Sequence, residues 1–322
     1  MAETNGNTPG SSREPGWERK VLERLAFATI EEQRRARRWK IGFRLGFLAL
    51  LLIVVFAQPN QWGSRGMSSR HTALVEMDGV ISADELASAD NVIGGLRAAF
   101  EEKHTAGIIL RVNSPGGSPV QSQYIYDEIK RLREKYPETP LYAVITDVCA
   151  SGCYYVVAAA DKIYASPGSL VGSIGVLMNG FGFTDAIKKL GVERRLLTAG
   201  EHKGFLDPFA AQKPEELRHA QKMLDNIHQQ FITAVREGRG DALKETKDMF
   251  SGLFWTGDQA RELGLVDEFG SSSQVAREVV GAEQIVDFTV RESVFDRVAR
   301  RVGTSIGETL GLQLFGRAPN LR

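Results

Sequence analysis

Residues 147–161 read DVCASGCYYVVAAAD and place one hydroxyl, Ser151, where one apolar run ends and another begins. The run before it, LYAVITDV (141–148), is short and β-branched, the pattern of a buried strand. The run after it, 154–160, reads as a helix. A serine between strand and helix, followed at once by Gly152, has two readings. It fills a tight turn, or it is a nucleophile held at a sheet edge beside N–H groups that can bind an oxyanion. A-S-G alone does not choose, and the absence of a G-x-S-x-G pattern points away from an ordinary α/β-hydrolase.

Outward from this turn, short β-rich runs alternate with helical stretches. Strands are expected at 72–81, 106–113, 141–148, 162–166, 173–177 and 193–198, with helices at 84–100, 120–136, 154–160, 184–190 and 215–237. A shorter helical piece is expected around Met249, and a short helix followed by a strand within 256–270. This βαβα rhythm argues an α/β fold with a mostly parallel sheet covered by helices. No internal repeat is visible, so these alternating elements read as one domain.

Two further segments stand at predicted strand ends or in loops, where α/β folds place their sites. In Asn113-Ser-Pro-Gly-Gly-Ser118, adjacent glycines allow a sharp turn with N–H groups turned outward, although the same letters make ordinary turns. In GEHKGFLDPF (200–209), His202 and Lys203 are neighbours. A serine nucleophile needs a base. Histidine has a pKa near neutrality, whereas lysine, at about 10.4, needs a drop of about three units, or about 4 kcal/mol. Burial among Phe205, Leu206 and Phe209 is the expected source of such a shift. Chemistry alone leaves both bases open.

These stretches resemble the S49 serine peptidases, the signal peptide peptidase A family, over about residues 72–270. The likeness lies in VNSPGG, in ASG-x-YY followed by AAADKIYASP, in GSLVGSIGV, and in G-x-x-K near DPF. The resemblance implies a ClpP/crotonase-like fold of repeated ββα units and a Ser–Lys dyad, with Ser151 as nucleophile and Lys203, 52 residues later, as base. It further implies backbone N–H groups of Gly116 and Gly152 at the oxyanion, Ser173 orienting the lysine, and no cofactor or metal. Cys153 departs from a usual glycine and Gly204 from a common aspartate. Family likeness implies remnant signal peptides as substrates and a homo-oligomer, plausibly an octamer, with sites completed by neighbouring subunits. A crotonase-like acyl-CoA enzyme and an inactive membrane scaffold are the alternatives.

The remaining sequence divides accordingly. Residues 1–40 form a polar tail that turns helical and basic, with Arg34, Arg35, Arg37, Arg38 and Lys40 ahead of an apolar run at 41–57 interrupted only by Arg44. This run reads as an uncleaved transmembrane anchor, and the preceding cations place the N-terminus in the cytoplasm. The catalytic domain is then expected outside the bacterial inner membrane, in the periplasm, behind a linker at 58–71. The peptidase domain spans 72–290, and 291–322 is an amphipathic helical extension. Forty basic and forty acidic residues cancel, so no overall field favours nucleic acid. The two cysteines, Cys149 and Cys153, are too few for a zinc site and are expected as buried free thiols, with a bridge between them as the alternative. His71, His104, His219 and His228 are expected at the surface, and Asp147, Asp161 and Asp207 in turns or caps.

Overall fold

The computed structural model describes residues 34, 35, 37–49 and 69–291. The chain divides into two compact units, 1–65 and 66–322. In the first, residues 37–49 form a helix, α1. The first nine residues of the expected anchor are therefore helical, and 50–57 lie outside the described residues. Among the described residues, no helix is long and apolar enough to cross a membrane. Most of the expected tail, most of the linker and nearly all of the C-terminal extension also lie outside the described residues.

The second unit is a mixed α/β layer structure with a mostly parallel sheet, as its sequence rhythm predicts, and fits a ClpP-like fold. Its central strands are β1 (His71–Asp78), β2 (Thr105–Ser114) and β3 (Leu141–Ala150), with helices α2 (Ala89–Glu101) and α3 (Pro119–Lys135) in the connections. Next come α4 (Gly152–Val157), β4 (Lys162–Ala165), β5 (Leu170–Gly172), α5 (Thr184–Lys189) and α6 (Pro214–Arg239). The rest comprises β6 (Phe254–Thr256), α7 (Gly257–Glu262), β7 (Glu268–Phe269), α8 (Ser272–Gln274) and β8 (Ile285–Asp287). The sheet order is β6-β5-β3-β2-β1-β8, with β4 on β3 and β7 on β4. Of these pairings, β5–β6 is antiparallel.

Strand periodicity sorts the core. Ala73, Val75, Met77, Ile108, Leu110, Val112, Leu141, Ala143 and Ile145 face the main core, which α2, α3 and α4 cover. The alternate residues Leu74, Ile109 and Val144 join Tyr164, Val275 and Val280 on the opposite face. Both faces are buried, which explains the nearly continuous apolar text of these strands. Ser88 caps α2 by accepting from Asn91 N–H, so 84–88 stays outside the helix that the sequence extends back to Asp84. Ser118 caps α3 ahead of Pro119.

Around α4 the packing is close. Gly238 of α6 faces Ala158, where a Cβ would lie 2.0 Å from the carbonyl oxygen. The Tyr126 hydroxyl donates to Ala234 O at 3.1 Å, and Tyr155 meets Tyr126 edge-on. Below them, Arg239 forms a bidentate pair with Asp267. Neighbouring Tyr154 donates to Leu265 O at 2.9 Å.

Several expectations need correction. Strand pairing stops at Gly172, so 173–177 is irregular: Ser173 adopts φ 50°, which turns the chain out of the ladder. Residues 193–198 are exposed and pair with no strand, so their β-like composition has no sheet to join. The piece around Met249 is a turn, and α4 starts at Gly152, two residues ahead of the expected start. His71 is fully buried rather than superficial, stacked on Phe288 at 6.1 Å.

On α3, the buried Glu128 is held by Arg131 of the same helix and Arg97 of α2. Hydrogen bonding from Arg131 leads the effects that outweigh its burial and lower its pKa to about 2. A depressed carboxylate stabilises the fold above its unfolded pKa, near 4.5, and the gain disappears as pH falls toward 2. In urea titrations, wild type should therefore exceed Glu128→Gln in stability at pH 6, and the gap should close by about pH 2.

Candidate active site

The site is built at the carboxyl end of β3. Ser114 of β2 pairs with Cys149, Val171 of β5 flanks it on the other side, and Ala150 pairs with Gly172. The next residue, Ser151, leaves the sheet at φ 54° and ψ −124°. A residue with a side chain is seldom found there, at a cost of about 1–3 kcal/mol. Opposing contacts hold it. Ser151 N–H donates to Gly172 O at 2.8 Å, and Ser151 O accepts from Tyr155 N–H at 3.1 Å, which starts α4. The sharp turn presents the half-exposed serine at the sheet edge above a wholly buried helix.

The Asn113–Ser118 turn abuts this elbow. At Gly116, with φ 95°, a Cβ would lie 2.6 Å from Ala150 O, 2.7 Å from Gly152 N and 2.8 Å from Ser151 Cβ. Only glycine allows the two turns to close on each other. Gly152 is equally confined: a Cβ there would meet Ser122 Oγ at 2.4 Å and Gly117 N at 3.3 Å.

The N–H inventory refines the sequence expectation. Gly116 N–H donates to Ser114 Oγ at 3.1 Å and so is already engaged. Beside it, Ile81 N–H donates to Gly116 O and Ser118 N–H donates to Ile81 O, leaving Gly117 N–H without an acceptor among the described residues. Gly152, the first residue of α4, has an N–H that no carbonyl of its own helix can take. The backbone of Gly117 and Gly152 thus offers two neighbouring unfilled donors beside Ser151. The first glycine of the pair was expected from the family resemblance, and a sequence does not show which N–H a nearby hydroxyl will occupy.

Ser173 directly follows Gly172, the residue that anchors Ser151, and its own N–H donates to Leu253 O at 2.8 Å. Lys203 is not brought to this cluster by a bond: among the described residues, it has no side-chain hydrogen bond or ion pair to Ser151 or Ser173. It lies exposed in the turn at 201–206, so the expected burial among Phe205, Leu206 and Phe209 is absent within one chain. Instead, Phe205 packs edge-on against His219, and Phe209 stacks on Phe183 at 5.5 Å. The histidine next to the lysine is occupied elsewhere. His202 Nδ1 is 3.6 Å from Glu216 Oε1, which also faces Lys213. Burial acts to raise the Glu216 pKa, but these two partners outweigh it and leave the carboxylate below its ordinary value.

The whole segment 177–213 is largely exposed, including its apolar side chains; Leu177 is 83% and Leu197 97% accessible. It is held by its own contacts, among them Phe183 N–H to Pro208 O at 2.7 Å and Arg194 to Asp207. Asp207 also accepts from Phe209 N–H, and Asp161 accepts from Leu141 N–H, turn and strand-end roles of the expected kind.

Cys149 and Cys153, expected as free thiols, are joined in a disulfide with Cα atoms 5.2 Å apart. The four-residue spacing across a strand-to-helix turn brings the two side chains together, which neither a straight strand nor sequence composition would reveal. Both residues are buried. Among the described residues, no cluster of three or more His, Cys, Asp or Glu could hold a metal.

A strained serine turn with two unfilled N–H donors beside it, at the edge of a mostly parallel sheet, is an arrangement able to carry acyl transfer. Comparison with known proteins agrees with that class. The model of peptidase family S49 matches residues 133–285. A Synechocystis sp. protein described as "Putative protease" is 32% identical over 210 residues, covering 65% of this chain and 73% of that one. The chain belongs to peptidase family S49. A "Putative signal peptide peptidase SppA" of Enterococcus faecium is 29% identical over 259 residues, 77% of this chain and 75% of that protein. The Na(+)/H(+) antiporter NhaA of Brucella abortus is 42% identical over 205 residues, 64% of this chain. The chain spans 28% of the length of that antiporter.

Proposed function

We propose that this protein is a membrane-anchored serine endopeptidase that cleaves apolar peptides, remnant signal peptides in particular, with a Ser151–Lys203 dyad. The observation that carries the reading is the strained Ser151 elbow beside the unfilled N–H groups of Gly117 and Gly152. Lys203 Nζ takes the Ser151 hydroxyl proton as Oγ attacks the peptide carbonyl. The two N–H groups receive the oxyanion, the protonated lysine supplies the leaving amine, and water then releases the acyl group. Ser173 orients the lysine.

Because Lys203 lies exposed on a segment that also exposes large apolar side chains such as Leu177 and Leu197, the dyad is completed between subunits of a homo-oligomer, an octamer by family likeness. Burial of that segment against a neighbour supplies the desolvation that the lysine needs. The apolar run at 41–57 anchors the protein in the inner membrane, with the site on the periplasmic side, where a disulfide is at home. The name of the Enterococcus relative supports the substrate class.

Mixing inactive variants tests the shared site. Ser151→Ala and Lys203→Ala proteins, each silent alone, are dissociated, combined in equal amounts and reassembled with an apolar signal-like peptide. Random pairing returns about one quarter of wild-type turnover, because one interface in four carries both residues. No recovery after confirmed subunit exchange places both residues in one chain and removes the shared site. An unmutated protein that cleaves nothing removes the peptidase reading itself.

A further inference from the structure

We infer that the Cys149–Cys153 disulfide is a positioning device for the nucleophile, tying Ser151 and one oxyanion donor into a single covalent ring. The inference rests on the assignment of Ser151 as the nucleophile. Cys149 is held between two strands, paired with Ser114 of β2, just past a register shift, on one side and with Val171 of β5 on the other. Cys153 is buried in α4. Between them lie Ala150, Ser151 and Gly152, so the bond spans the strained φ, the attacking hydroxyl and the Gly152 N–H together.

A ring this small constrains the unfolded chain less than a long one would, so its main effect is local. The strain at Ser151 tends to return φ to negative values, which would rotate the hydroxyl and move the first turn of α4. Two backbone hydrogen bonds resist that rotation, one on each side of the serine. The sulfur bridge adds a covalent limit, because the residues on either side cannot separate as the turn relaxes. It fixes the distance from attacking atom to oxyanion donor, and small errors in that geometry cost about ten- to hundredfold in rate.

The test begins with full-length protein purified without reductant and alkylated with a maleimide in denaturant. No thiol should react, since the chain has two cysteines and both are in the bridge; two reactive thiols overturn the proposal. The pair Cys149→Ser/Cys153→Ser keeps the side-chain volume and removes the bond. It should lower kcat on an apolar peptide about ten- to hundredfold while leaving KM within about twofold. A kcat equal to wild type shows that packing alone sets the elbow and overturns the positioning role.

If that pair folds poorly, native protein is treated with dithiothreitol until two thiols titrate. The reagent gives two electrons and two protons to the Sγ–Sγ bond, forming two cysteine thiols and its own cyclic disulfide. The kcat should fall by the same factor and return on reoxidation with oxidised glutathione, whereas unchanged turnover at full reduction overturns the proposal. Cleavage that survives Ser151→Ala, run alongside, removes the nucleophile assignment, an outcome distinct from an unchanged kcat in the cysteine pair.

Discussion

Ser151→Ala and Lys203→Ala should each reduce cleavage of an apolar peptide by at least about 10³-fold, while His202→Ala should stay within about threefold of wild type. The first loss would follow from chemistry: Ser151 carries the one hydroxyl of residues 150–152, and the Gly117 and Gly152 donors without it would supply only residual stabilisation of an oxyanion. The second loss separates the two neighbouring candidate bases. His202 is turned toward Glu216, and that pairing accounts for its place in the fold without any contact with the serine. Lys203 has no such structural partner among the described residues, although its companion Lys213 does. Steady-state kinetics of the four proteins on one peptide decide the matter. A dead His202→Ala beside an active Lys203→Ala reverses the assignment of the base.

Arg239→Ala should destabilise the fold by about 3–5 kcal/mol, seen as a lower midpoint in urea. The arginine is buried, and it donates Nε to Gly264 O at 2.9 Å and both terminal nitrogens to Asp267, at 2.8 and 3.0 Å. Asp267 also accepts from Ile163 N–H at 2.7 Å, so one carboxylate joins α6, β4 and the segment after α7. Removing the arginine leaves that carboxylate without its counter-charge and strands the Gly264 carbonyl. Tyr154, next in the network, has its hydroxyl pKa raised by burial. The double variant Arg239→Met/Asp267→Leu should recover only the part of the loss due to the uncompensated charge, because Gly264 O and Ile163 N–H still lose their side-chain partners. A single substitution costing less than about 1 kcal/mol would show that the pair is solvated and would sink this account.

Both outcomes trace to features with different legibility. The three central strands could be read directly, because both faces of the sheet are buried and their text is continuously apolar. The elbow could be located but not resolved. ASG after a strand and SPGG after another strand pointed to the two turns that meet, yet the choice of donor depended on Ser114 Oγ occupying Gly116 N–H, a contact between side chain and backbone. The false strand at 193–198 shows the opposite failure. ERRLLT has β-like residues, but propensity cannot create a neighbouring edge, and the segment stays outside the sheet. His71 was misplaced for a related reason, since a linker-like sequence preceded it while the sheet registered it beside Thr105.

Composition and periodicity by themselves determined the α/β class, the mostly parallel strands and the apolar run at 41–57, because these depend on residue types at fixed spacings, while the motifs around Ser151 carried the resemblance to the family. Only the tertiary structure decided that the cysteines are joined across the serine, that Gly117 rather than Gly116 has the unfilled donor, and that Lys203 stands exposed on its own segment. Each of those depends on which groups meet across the fold after burial and hydrogen bonding have been satisfied, and no one-dimensional spacing encodes that competition.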